Sequence, residues 1–236
     1  TVLGDAMMKN PTFFTNWIGA NDVLAYATSG GTMPNDPLTV EDESLLPAND
    51  NFGPGNDVLS TYKGNDITSI NVFNSAYNTI VNTLTAQGAK GVLATIPSVT
   101  SIPYFTTVPY APVPLNDVRA TQLNSGYATY NGGLDLAFSN GLITNTERLQ
   151  RKINFVAGQN PVVIIDSDLT NLSVLGLPSY RMTTSQDLIV LPASSFIGTL
   201  VGDNPTLING VSVPLANKWV LTANEKTKVA NATAAY

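Results

Sequence analysis

Two short apolar runs with a helical stretch between them constrain this chain more than any other feature of its sequence. Thr12-Phe13-Phe14-Thr15-Asn16-Trp17-Ile18 follows Pro11 and stops at Gly19, and Gly91-Val92-Leu93-Ala94-Thr95-Ile96 stops at Pro97. Short β-rich runs bounded by proline and glycine read as strands. Between them Ile70, Phe73, Tyr77, Ile80, Val81 and Leu84 recur at helical spacing, with Asp66 as the expected N-cap and Gly88 closing the helix. Strand, helix and strand make a βαβ unit, which implies parallel pairing and a right-handed crossover. Aromatic residues on both faces of the first run predict a strand buried on both sides. The expected fold class is α/β, and 236 residues suffice for one such domain with a real core.

The rest of the chain fits a single domain over 1–236. Residues 33–65 carry Pro34, Pro37, Pro47, Pro54, Gly53, Gly55 and many carboxylates, and predict a polar surface insertion with little regular structure. Residues 97–115 hold five prolines along with Tyr104, Phe105 and Tyr110, so they form neither a helix interior nor a central strand. Within it, residues 102–114 line a substrate groove or pack as a surface loop, and both readings stand. A second helix is expected after Asp117, with Leu123, Tyr127, Tyr130, Leu134 and Phe138 in phase. Its glycines, Gly126, Gly132 and Gly133, each cost about 1 kcal/mol relative to alanine. Pro161–Asp166 and Asp187–Leu191 read as short strands. Thr222-Ala223-Asn224-Glu225 is a capping box that opens a final helix through Ala235.

Two absences narrow the chemistry. With no cysteine there is no disulfide scaffold, thiol nucleophile or cysteine zinc site. With no histidine, a Ser-His or Ser-His-Asp hydrolase cannot be assembled from these residues. A net charge of −6 leaves no electrostatic footprint for nucleic acid, so none is expected as a partner. No cofactor or metal is expected. No uninterrupted apolar run approaches the ~18 residues of a membrane span. No signal peptide is visible, and Thr1-Val2-Leu3-Gly4-Asp5 reads as the interior of a longer protein.

Gly19-Ala20-Asn21-Asp22 follows the first strand, where ligands bind in open parallel sheets. Asn21 could direct its amide at a developing oxyanion, a role worth roughly 3–4 kcal/mol in a transition state. Asp22 could brace the loop. The four letters serve equally as a strand-to-loop turn held by Asx hydrogen bonds. Asp166 and Asp168, or the cluster Asn49, Asp50, Asn51, Asn56 and Asp57, offer oxygen ligands for a divalent cation. Neither matches the EF-hand spacing, and solvated loop carboxylates are the simpler reading. Ser194-Ser195 lacks a histidine partner, with Lys218 the alternative base, and reads as a small-residue turn.

The wider context of the glycine–asparagine turn carries a resemblance. Pro11 through Leu24 is similar to block III of the SGNH/GDSL hydrolases, the Gly-x-Asn-Asp block at a strand end. Ala25-Tyr26-Ala27-Thr28-Ser29-Gly30-Gly31 extends the likeness toward the lipase-like lipoproteins of Bacteroidetes-type bacteria. Gly88–Val92, Ile96–Phe105 and Ser194–Thr199 add to it. The resemblance implies a three-layer α/β/α fold with flavodoxin-like strand order and a secreted, periplasmic or outer-membrane surface-anchored serine esterase or lipase. It implies a small-molecule ester, lipid or acylated glycan as substrate. It assigns Asn21 to the oxyanion hole, with Gly19 and Asp22 supporting it. The family's nucleophile block and its Asp-x-x-His block are absent, and Gly4-Asp5-Ala6 has alanine where serine is required. The chain is therefore expected to be inactive alone, either as part of a longer esterase or as a non-catalytic scaffold with a degenerate SGNH fold. By the same resemblance, run 12–18 is the third strand of a 2-1-3-4-5 sheet and run 91–96 the fourth. The edge beside Phe13, Phe14, Trp17 and Ile18 then awaits completing segments of the same polypeptide or a second copy.

Overall fold

The computed structural model describes residues 1–34, 45–202 and 204–236. The chain is a mixed α/β protein. It opens with α1 (Val2–Met7), β1 (Phe13–Asn16), α2 (Ala20–Thr28), β2 (Thr32–Pro34) and β3 (Leu45–Pro47). There follow α3 (Ile70–Thr85), β4 (Lys90–Leu93), α4 (Pro103–Thr106), β5 (Val113–Leu115), α5 (Asp117–Ser139) and α6 (Asn145–Arg151). The C-terminal part contains β6 (Gly158–Asn160), β7 (Val163–Ile165), β8 (Tyr180–Met182), β9 (Leu188–Ile189), β10 (Leu200–Val201), β11 (Asn204–Ile208), β12 (Val220–Leu221) and α7 (Ala223–Ala235). Among the described residues no helix is long and apolar enough to cross a membrane.

The strand–helix–strand pattern yields a parallel pair. β1 lies beside β4 with Phe13 opposite Lys90 and Asn16 opposite Leu93, and the chain between them holds α2, β2, β3 and α3. The helix begins later than the sequence suggests. Ser69 is its N-cap and accepts the Val72 N–H at 3.2 Å. Asp66 instead accepts the backbone N–H groups of Asn49 and Lys63, so its carboxylate closes the preceding turn.

The expectation that β1 is buried on both faces fails. Phe13 is 60% exposed and Trp17 65%, and Val92 on β4 is 54% exposed. Among the described residues β1 pairs with β4 alone, so the pair lacks the flanking strands of a wide sheet. The described strands form six two-stranded sheets, not one wide sheet. β7 pairs antiparallel with β8, and β9 with β12.

The core sits mainly under α5. Its buried face consists of Ala120, Leu123, Tyr127, Tyr130, Leu134 and Ala137, in one cluster with Ile153, Phe155, Val162, Val163 and Ile164. Phe138, expected to be in phase, is 40% exposed, and Ala137 takes the inward position while the Arg148 guanidinium stands 5.1 Å over the Phe138 ring. Gly133 is tolerated in the helix because Leu177 packs where a side chain would stand, 2.5 Å from the Cβ position. A smaller part of the core joins Val23, Tyr26 and Ala27 of α2 to Val229 and Ala232 of α7.

A buried ion network ties the C-terminal strands to α7. Arg181 on β8 donates to Asp166 at 2.5 Å and to both oxygens of Asp187 at 2.7 and 2.9 Å. Asp187 also accepts the Ala223 N–H at the start of α7. That helix carries the expected capping box: Thr222 and Glu225 bond reciprocally.

The segment 33–65 is only partly a polar surface loop. Residues 35–44 lie outside the described part. β2 pairs antiparallel with β3, Ala48 and Asn51 are buried, and the Asn51 amide donates to the Ile67 carbonyl at 2.8 Å. A polar loop crosses a core this way when its side chains satisfy the backbone groups it buries.

Candidate functional site

The turn after β1 is built around a glycine. Gly19 has φ +107°, a left-handed conformation open to residues without a Cβ, and it is the N-cap of α2. A Cβ there would also stand 2.7 Å from Ile96 and 3.0 Å from the Phe73 ring. The strand can therefore pass directly into the helix. The first-turn N–H groups of such a helix have no helical acceptor. Those of Ala20, Asn21 and Asp22 find none among the described residues. The positive end of the helix dipole thus points out beyond β1. Asn21 lies in this first turn and is exposed.

Asp22 fixes the turn from behind. Its Oδ2 accepts the Thr68 N–H at 2.9 Å, and its Oδ1 accepts the Thr68 hydroxyl at 3.0 Å. The Tyr236 hydroxyl reaches Oδ2 at 2.7 Å. Tyr236 also stacks on Phe73, with ring centroids 3.7 Å apart and planes 1° from parallel. Burial and the adjacent Asp22 hold the Tyr236 phenol above its ordinary pKa, so the hydroxyl stays protonated. The bracing role read for Asp22 is what its contacts provide. No local pattern points to Thr68 or Tyr236, because both are remote from the turn in the chain.

Asn16, at the end of β1, is a further polar group that sequence reasoning missed. It is buried, and its Nδ2 has no hydrogen-bond partner among the described residues. An unmet donor of that kind costs about 1–3 kcal/mol. A polar amide at the end of a strand that opens with Phe13 and Phe14 was the available signal.

No known family model, curated protein or solved structure matches this chain.

The other candidate residues have structural occupations. Ser194 and Ser195 donate to the carbonyls of Leu191 and Pro192, three residues back, as in a tight helical turn. Lys218 lies over the Trp219 ring at 5.3 Å and makes no hydrogen bond to either serine. Asp166 holds Arg181, and Asp168 accepts the Asn224 amide at 2.8 Å. In the acidic loop, Asp57 accepts Ser69 and Asn71, which hold its carboxyl below the usual range, and Asp50 accepts the Phe52 N–H. Among the described residues no group of acidic side chains is arranged to hold a metal ion. Gly4, Asp5 and Ala6 lie in α1, a short exposed helix, and not at a strand end.

The proline-rich stretch divides between the core and an open groove. Phe105 is buried in the core, while Thr107, Val108, Pro109, Ala111 and Pro112 line an open groove of about 550 Å³ with Ser194. Among the described residues no charged side chain lines this groove.

Proposed function

We propose that this chain is the central part of a secreted SGNH-type serine esterase or lipase, and that the Gly19–Asp22 turn is its oxyanion-binding block. One observation carries the reading. A parallel strand passes through a left-handed glycine into a helix whose first-turn N–H groups meet no acceptor among the described residues, with Asn21 exposed and Asp22 braced. This is the arrangement that stabilises negative charge on a tetrahedral intermediate, because backbone donors and a helix dipole converge at no cost of reorganisation. The nucleophile and its base must come from outside these residues, since the chain holds no histidine.

In this proposal β1 and β4 are the third and fourth strands of a flavodoxin-like sheet in a three-layer α/β/α fold. The open faces of Phe13, Trp17 and Val92 and the unpaired Asn16 amide support a sheet that other segments of the same polypeptide complete. A second copy could cover the same face, but it would bring no histidine. The substrate is a carboxylic ester of a lipid, glycan or small alcohol. The uncharged groove beside the 107–112 stretch suits a neutral ligand better than an ionic one.

The test is the longer protein carrying a serine block and a histidine block, assayed on a short-chain p-nitrophenyl ester. Asn21→Ala should lower kcat by roughly 10²–10³ with KM little changed, as for a lost oxyanion donor. The chain of residues 1–236 alone should show no turnover. A fall in melting temperature with unchanged kcat would reduce Asn21 to a turn residue. Absence of any nucleophile–base pair in the longer protein would favour the scaffold reading, in which the fold persists without the chemistry.

A further inference from the structure

We infer that Tyr236 is a positioning residue for the Asn21 turn; its catalytic meaning rests on the esterase reading above. Tyr236 follows α7 and is 214 positions from Asp22, yet its hydroxyl lies 2.7 Å from the Asp22 carboxylate and 2.5 Å from the Thr68 carbonyl. A phenol has one proton to donate. It therefore serves the two acceptors in alternation, and links the start of α2 to the segment that leads into α3. Its ring completes the link, because it stacks on Phe73, and Phe73 is one of the two side chains that leave no room at Gly19 for a Cβ.

One side chain thus touches the carboxylate behind the turn, the backbone beside it and the aromatic wall beneath it. Asp22 is adjacent to Asn21 in the first turn of α2, so its orientation sets the direction in which the free N–H groups point. Thr68 supplies two restraints on Asp22, and Tyr236 supplies the third from a separate helix. α7 itself is anchored at its other end, where Ala223 donates to Asp187. A contact that fixes oxyanion donors from behind acts on the rate, because a displacement of about 1 Å at such donors costs up to 10²-fold.

Tyr236→Phe separates the two parts of the contact, because it keeps the ring stack and removes the hydroxyl. In residues 1–236, amide hydrogen exchange at Thr68, which donates to Asp22, and at Val23, which donates to Gly19, should quicken several-fold in Tyr236→Phe. The melting temperature should stay within about 2 °C, as expected when the packed ring is kept. In the longer esterase the same substitution should lower kcat roughly ten-fold at unchanged KM. Combining it with Asp22→Ala should cost little more than Asp22→Ala alone, since that substitution already removes the carboxylate that the hydroxyl meets. Unchanged exchange at Thr68 and Val23 would overturn the inference. So would faster exchange with unchanged kcat, which would confine Tyr236 to holding the fold together. If the longer wild-type protein hydrolyses no ester, the esterase reading fails, and the exchange measurement still decides whether Tyr236 holds the turn.

Discussion

Phe13 and Trp17 leave 60% and 65% of their surface exposed, whereas Leu134, Ile153, Ile164 and Leu221 expose none. All six are apolar residues in or next to regular elements. The difference lies in what stands opposite them. The β7–β8 and β9–β12 pairs contribute buried residues to one core cluster with α5 and α7, and Arg181 on β8 is held by Asp187. The β1–β4 pair is a parallel ladder of four residue pairs with an open face. Parallel strands are stable when both faces are covered, so this part of the molecule shows the requirement unmet. The contrast teaches that strand formation is local while strand burial is not.

The comparison can be broken most severely at Arg181. Arg181→Ala leaves Asp166 and Asp187 buried without their cation, and should destabilise the chain by about 3–5 kcal/mol in urea unfolding. A loss under about 1 kcal/mol would mean that the C-terminal part is no better consolidated than the β1–β4 pair.

A smaller effect follows from Glu225, which burial pushes up to about 7, with Asp168 and Asp166 adding to the rise against the Thr222 donors. A carboxyl raised from its ordinary value stabilises the fold while it is protonated, and that contribution is lost as pH rises through the folded value. The chain should therefore lose about 3 kcal/mol between pH values of about 4.5 and 7, at 1.36 kcal/mol per unit. Glu225→Gln keeps a neutral side chain and the capping box, and should abolish most of this slope. A slope that persists in Glu225→Gln would place its origin in another group.

The smallest expected change is at the open face. Trp17→Ser and Phe13→Ser should alter stability by less than about 0.5 kcal/mol, because neither side chain is buried. Both should reduce self-association of the isolated chain in sedimentation or light scattering, since an exposed apolar strand edge promotes pairing between molecules. A large loss of stability in either variant would show that this face is covered within the chain itself.

What the sequence determined by itself is short-ranged. Thr222 and Glu225 capped α7 as their spacing requires, and runs bounded by Pro11, Gly19 and Pro97 gave strands that pair in parallel. Leu123, Tyr127, Tyr130 and Leu134 marked the inner face of α5. These features depend on residues within about four positions of one another, where helical and extended periodicity and turn chemistry act. Gly19 and Asp22 were legible for the same reason, as a turn with a side chain able to brace it. Which partner braces Asp22, why Asp66 closes a turn instead of capping α3, and which strand faces are covered were decided by the tertiary structure alone. Tyr236 meets Asp22 across 214 positions, Asp187 caps α7 from 36 positions away, and Asp66 is claimed by the Asn49 backbone 17 positions earlier. A buried or hydrogen-bonded side chain is selected by whatever polar group the packing brings within about 3 Å, and no local pattern encodes that distance.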